Sequence, residues 1–280
     1  MESTRRGFLG SAVALAATFA ADSARARWET VTRYPDPAFE NLDPSFARHR
    51  LDAAAVEHLW TGARRSEGPV WVADGRYLLW SDIPNDRVLC WHETTGTVDE
   101  YLKPAGYHDG HTRDREGRVV AREHGGRRII RVEHDGSVTV LADRFEGKRP
   151  NSPNGVVFSP DEKRLYVVEA GVNPRAIRVF DVVDGHTLAN DRVFYPCRPG
   201  ERPDGFRVDV DGNLWCGWGM NPEFDGVRVI DPAGAAIGHI HLPERCANLG
   251  FGGERRNRVF MAASKSLYAI YVNAKSASGG

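Results

Sequence analysis

At 280 residues the chain is long enough for one large domain or two ordinary ones, and 41% apolar with 27% charged residues describes an ordinary globular protein. A formal net charge of -1, with no basic stripe interleaved with aromatics, gives no electrostatic reason to expect nucleic acid or an anionic membrane surface as a partner. Cys90, Cys197, Cys216 and Cys246 show no CxxC spacing, so neither a zinc nor a redox motif is supported.

The chain opens with Thr4-Arg5-Arg6-Gly7-Phe8-Leu9, an apolar stretch from Ala12 to Ala21, and a small-x-small site at Ala24-Arg25-Ala26. This order resembles a twin-arginine export signal over residues 1–26, which implies a periplasmic or secreted protein beginning near Arg27. The apolar stretch is too short to cross a bilayer of about 30 Å, so no stable span is expected after cleavage. An oxidising compartment leaves one disulfide open, although thiols buried between strands are the expectation. Residues 27–65 form an N-terminal leader. Its first part is polar and proline-containing and reads as a surface segment with little structure, and it ends in the strand-like alternation Val56-Glu57-His58-Leu59-Trp60.

From there the chain writes one phrase five times: a short strand, an Asp/Gly/Pro turn and an apolar strand. The copies open at Glu67, Asp109, Asn154, Asp204 and Asn248, with spacings of 42, 45, 50 and 44 residues. Those spacings fit four-stranded propeller blades, so an all-β propeller is expected over 66–273. Blade one shows strands near 69–72, 77–80, 87–91 and 98–102, and hairpin turns such as Thr94-Thr95-Gly96 and His134-Asp135-Gly136 recur between later strands. Blade five lacks an outer strand. The segment Val56 to Trp60 can fill that place and join the two ends of the chain, leaving 274–280 as a disordered tail.

Each copy opens with Glu, Asp or Asn. Equivalent openings in a propeller converge at one end of the central channel, and side-chain oxygens meeting there suit a hard divalent cation. Taken together, the phrases Ser66-Glu67-Gly68-Pro69-Val70-Trp71, Glu123-His124-Gly125-Gly126-Arg127-Arg128, Gly147 to Asn154, Asn154-Gly155 with Phe158-Ser159-Pro160-Asp161-Glu162, Pro203-Asp204-Gly205 and Asn248 to Gly253 resemble the family of senescence marker protein 30, gluconolactonase and related lactone hydrolases.

The resemblance implies a six-bladed propeller with one divalent metal, Ca2+ first and Zn2+ or Mn2+ as alternatives, at the channel mouth. Carried over residue by residue, the metal ligands are Glu67, Asn154 and Asp204, and Asp204 is the catalytic base. Asp109, His124 and Arg149 are the candidates for binding substrate. The implied activity is metal-dependent hydrolysis of a small lactone, with a carboxylate activating water. Asn248 is expected to hold the start of blade five by bonding backbone.

The chain departs from the family pattern at one point. Its NSPN phrase runs directly into NGVVFSPDE, as if one repeat had been excised at Asn154. A narrower ring of five blades and a six-bladed ring with a gap both stay open, and so does an alternative function: a shortened, inactive propeller that binds a ligand or a protein.

Overall fold

The structure is a computed structural model that describes residues 33–143, 154–185 and 187–277. The export signal expected at 1–26 lies outside these residues. The leader supplies β1 (Phe39–Asn41), a short 3-10 helix (Pro44–His49) and β2 (Glu57–Thr61). Blade one is β3 (Ser66–Val72), β4 (Tyr77–Asp82), β5 (Arg87–His92) and β6 (Val98–Leu102). Blade two is β7 (His108–Arg113), β8 (Val119–Glu123), β9 (Arg128–Val132) and β10 (Val138–Ala142). Blade three is β11 (Val156–Phe158), β12 (Arg164–Glu169), β13 (Ala176–Val183) and β14 (Thr187–Pro196). Blade four is β15 (Phe206–Val208), β16 (Leu214–Trp218), β17 (Gly226–Ile230) and β18 (Ala236–His241). Blade five has β19 (Cys246–Gly252), β20 (Arg258–Ala263) and β21 (Ser266–Tyr271). Its fourth strand is β2, antiparallel to β21 with Glu57 opposite Ala269. The fold is therefore an all-β, five-bladed propeller arrangement.

Burial follows the position of each blade. A strand packed between two neighbouring blades loses water from both faces and tolerates a continuous apolar run. Every residue of β3, β16, β17, β19 and β20 is buried. Trp71 stacks on Phe260 with centroids 5.5 Å apart, joining blade one to blade five, and Trp215 meets Phe251 edge-on at 5.6 Å, joining four to five. Blades two and three differ: all five residues of β10 are exposed, and β11 buries none of its three fully.

The blade-opening glycines explain why. A Cβ on Gly68 would lie 2.2 Å from the Asp109 carbonyl oxygen, one on Gly155 would lie 2.2 Å from that of Asp204, and one on Gly205 would lie 2.1 Å from the Asn248 side chain. Each opening glycine thus lets the next blade's opening approach closely. Gly110 is the exception, because among the described residues a Cβ there meets no atom within 4 Å. Inner strands pack in the series β7, β3, β19, β15, β11, and residues of blades two and three line opposite sides of one cleft. Among the described residues, the series of closely packed inner strands ends at β7 on one side and at β11 on the other.

Two expectations are corrected. The leader is not structureless over 33–50: β1 pairs with β18 as a fifth strand of blade four, and Phe46 of the 3-10 helix is fully buried against Gly238. Single phenylalanines among prolines carry no period, yet each covers exposed sheet. The tail is attached as far as Ala277, where Ser276 bridges Asp209 and the Ala277 amide donates to Val208. All four cysteines are buried and free.

Candidate active site

The inner strands of four blades bring the expected oxygens together. In β3 the register shifts between Glu67 and Val70, and Gly68 takes a left-handed φ of 54°. Such a bulge re-aims the preceding side chain, here into the channel mouth. Glu67 is 3% exposed, Asp204 1% and Asn248 8%. The Glu67 Oε2 accepts from Asn248 Nδ2 at 3.1 Å and from the Gly68 amide at 3.0 Å. Asn248 Oδ1 accepts from the Leu249 amide at 2.9 Å. Asn248 thus keeps the backbone role expected of it and adds a direct bond to the Glu67 carboxyl.

Burial, followed by the charges of Asp204 and Asp109, pushes Glu67 up to about 8. Burial also raises Asp204, against the opposing pull of Arg245 and then of a hydrogen bond from Asn154. Arg245 Nη2 pairs directly with Asp204 Oδ2. Asp109 is half-buried and pairs through Oδ2 with Arg122 Nη1 at 2.9 Å. Ser81 Oγ donates to the Asp109 carbonyl at 3.0 Å, fixing the start of blade two against blade one.

Glu67, Asn154, Asp204 and Asp109 therefore share one electrostatic neighbourhood, as the repeated openings suggest. His124 does not join them. It is exposed on the rim of the cleft, and its backbone amide donates to Tyr107. Arg149 lies outside the described residues.

Two arginines and a histidine pair complete the surroundings, and neither arginine was singled out from sequence as a site residue. Arg245 stands three residues before Asn248, just before β19 begins at Cys246. Arg207 alternates with Phe206 and Val208 and faces the channel, where Nη2 donates to the His111 carbonyl at 3.2 Å and Nη1 to that of Phe206 at 3.0 Å. A charged residue between two apolar ones in an inner strand is a readable signal for that placement. His111 Nδ1 lies 2.8 Å from the Gly68 carbonyl and Nε2 lies 3.3 Å from His108 Nδ1. Burial, then His108, pulls His111 down to about 3, so it is neutral near pH 7 and holds the Glu67 turn in place.

The donor set fits a hard cation. Carboxylate and amide oxygens on separate strands are what such an ion takes, and the crowding that lifts Glu67 is what a nearby positive charge would relieve. Among the described residues no group of three His, Cys, Asp or Glu side chains is set for a metal ion. The expected set holds only two carboxylates beside an asparagine amide, and Arg245 already answers the charge of Asp204.

From this mouth a cleft of about 1120 Å³ runs outward between blades two and three. Glu67, Asp109, Asn154 and Asn248 line its inner end, and Val120, Ile129, Val156 and Phe158 line its walls.

A family model described as SMP-30/Gluconolactonase/LRE-like region matches residues 65–154 and 128–265, two stretches that overlap. The gluconolactonase of Zymomonas mobilis is 32% identical over 305 aligned residues, covering 79% of this chain and 83% of that protein. The pentonolactonase XacC of Haloferax volcanii is 27% identical over 252, covering 73% and 83%. The solved structure of a gluconolactonase from Xanthomonas campestris superposes with a TM-score of 0.74 at 29% identity, covering 84% of this chain and 94% of that one.

Proposed function

The chain belongs to the SMP-30/gluconolactonase/LRE-like family, and on that premise we propose that it hydrolyses lactones, with one divalent cation held by Glu67, Asn154 and Asp204. The observation that carries the reading is the meeting of three blade openings, one from each of blades one, three and four, at a single buried mouth. Hard oxygen donors favour Ca2+ over Zn2+ or Mn2+. When bound, the cation supplies Lewis-acid polarisation of the lactone carbonyl.

The remaining work falls to side chains. Arg245 beside Asp204 opposes the effect of burial and favours the ionised carboxylate, the form that takes a proton from water. Asn154 bonds the same carboxylate and limits its rotation. Water adds to the carbonyl carbon, the ring C–O bond breaks, and the leaving ring oxygen takes a proton, so the product is a hydroxy acid. Asn248 and the Gly68 amide fix Glu67 at the rim. Neutral His111 is committed to the Gly68 carbonyl and stays out of proton transfer.

Residues 1–26 support export by a twin-arginine signal, which would place this chemistry in the periplasm or outside the cell.

The test is hydrolysis of glucono-1,5-lactone by the mature protein after chelation and then addition of Ca2+, Zn2+ or Mn2+, beside Asp204→Ala and with the spontaneous rate subtracted. Metal-restored turnover missing from the variant supports the reading. Metal binding with no turnover of any lactone in a panel would favour a binding module instead.

A further inference from the structure

Three of the five blade openings carry an arginine just ahead of them: Arg65 two residues before Glu67, Arg202 two before Asp204 and Arg245 three before Asn248. They belong to blades one, four and five, whose inner strands pack on one another in series. Arg175 joins them from the connection between β12 and β13, where Nη1 donates to the Pro203 carbonyl at 2.9 Å, one residue from Asp204. Opposite charge is scarce around them. Arg245 Nη2 is paired with Asp204, but its Nε is buried without a hydrogen-bond partner among the described residues. The Arg65 and Arg202 side chains make no hydrogen bond or ion pair among the described residues. The adjoining acids are already engaged: Asp82 accepts from the Arg64 and Arg65 amides, from Asn85 and from Arg87, and Glu201 is taken by Arg198.

Like charges brought together raise one another's energy. Burial pulls Arg175 below its usual value, Asp204 opposes this, and the charges of Arg245 and Arg202 add to it. An anion among the guanidiniums would relieve that crowding, and their planar N–H forks match a carboxylate or a phosphate. We infer that Arg65, Arg175, Arg202 and Arg245 form an acid-binding subsite at the rim of the mouth, and that the lactones taken best carry an acidic substituent. The inference rests on the lactone-hydrolase reading for the ring and on the arginines alone for the acid.

The test compares substrates that differ in one group: D-glucaro-1,4-lactone, with a carboxylate at C6, and D-glucono-1,4-lactone, with a hydroxymethyl there. With the full mature protein and Ca2+, kcat/KM should favour the acid about tenfold at low ionic strength, and added NaCl should shrink the preference. Calorimetric binding of D-glucaro-δ-lactam and D-glucono-δ-lactam, which lack the ester bond, should show the same preference with and without Ca2+. Binding of 6-phosphogluconate beside gluconate supplies the phosphate arm, and the larger gain names the source of the acid. Arg65→Gln and Arg202→Gln, both at exposed positions, should each cut the preference about threefold, and together about tenfold.

Equal binding of the two lactams, with no gain for 6-phosphogluconate over gluconate, overturns the inference whatever the turnover. If glucono-1,4-lactone is still hydrolysed, the hydrolase stands without it. A preference in binding while no lactone is hydrolysed supports the acid subsite and sinks the hydrolase reading. A preference that needs Ca2+ and survives the double substitution puts the acid on the cation and overturns the inference; one that survives the double substitution without Ca2+ overturns it as well.

Discussion

The Asn248 amide donates to the Glu67 carboxylate across 3.1 Å, tying the first strand of the last blade to the first strand of the first. Asn248→Leu should therefore remove one of the two donors to the buried Glu67 Oε2 and leave the Gly68 amide in place. The expected cost is about 0.5–1.5 kcal/mol, the net contribution of one hydrogen bond. Urea denaturation of the two proteins checks it. Unchanged stability would show that the pair contributes nothing.

Glu67 also sets a pH dependence. Its folded-state value near 8 lies above the ordinary 4.5, so the folded protein holds a proton there that the unfolded chain has released. This contribution to stability is full below about pH 4.5 and is lost as pH rises through 8. Between pH 5 and 8 the metal-free wild type should lose on the order of 5 °C or more in Tm relative to Glu67→Gln. Saturating Ca2+ should cancel the difference in slope. Parallel melting curves across that range would refute the assignment.

On the proposed reading, a cation at Asp204 would compete with Arg245 for the same oxygen. Arg245→Gln removes a guanidinium already paired with Asp204, and the expected outcome is Ca2+ affinity about tenfold higher by calorimetry, with the largest gain at low ionic strength. A loss of affinity would mean that Arg245 helps to assemble the site instead of standing in for the ion.

Two glycines at equivalent places should respond oppositely. Gly68→Ala forces a Cβ to 2.2 Å from the Asp109 carbonyl at a φ of 54°, with an expected cost of at least ~2 kcal/mol. Among the described residues Gly110→Ala meets open space at an ordinary backbone angle, and it should be neutral or stabilising by up to about 1 kcal/mol. Thermal melts of the pair separate the interrupted ring from a closed one, where both substitutions would be costly.

The blades were legible because strand-turn-strand spacing is local and repeats. The meeting of Glu67, Asn154 and Asp204 followed from that repetition, since equivalent positions in equivalent blades point to one place. Arg245 was not singled out because it precedes β19 and follows no strand alternation, and its long stem reaches to Asp204; Arg207 carried a signal in its alternation with Phe206 and Val208, but its partner lies in another blade. Arg207 touches the His111 carbonyl from a strand 96 residues away in sequence. His108, His111 and His124 lie close together in the chain, but His108 and His111 are buried in β7 whereas His124 sits in the turn after β8 and stays exposed. The leader showed no pattern because Phe39 and Phe46 each answer to a different patch of blade four, beyond any local rule.

The two ends of the chain are sewn together at β2 on β21. Among the described residues the five blades pack as a series of neighbours, as the units of a repeat array do. In such a series stability is the sum of neighbour contacts, and among the described residues blades two and three each pack closely on one neighbour. They should exchange their amide hydrogens first. A circular permutant starting at 154 and ending at 143, with the old termini joined by a linker, would bring β2 after β21 in the chain, while β1 would still return from beyond blade five to the edge of blade four.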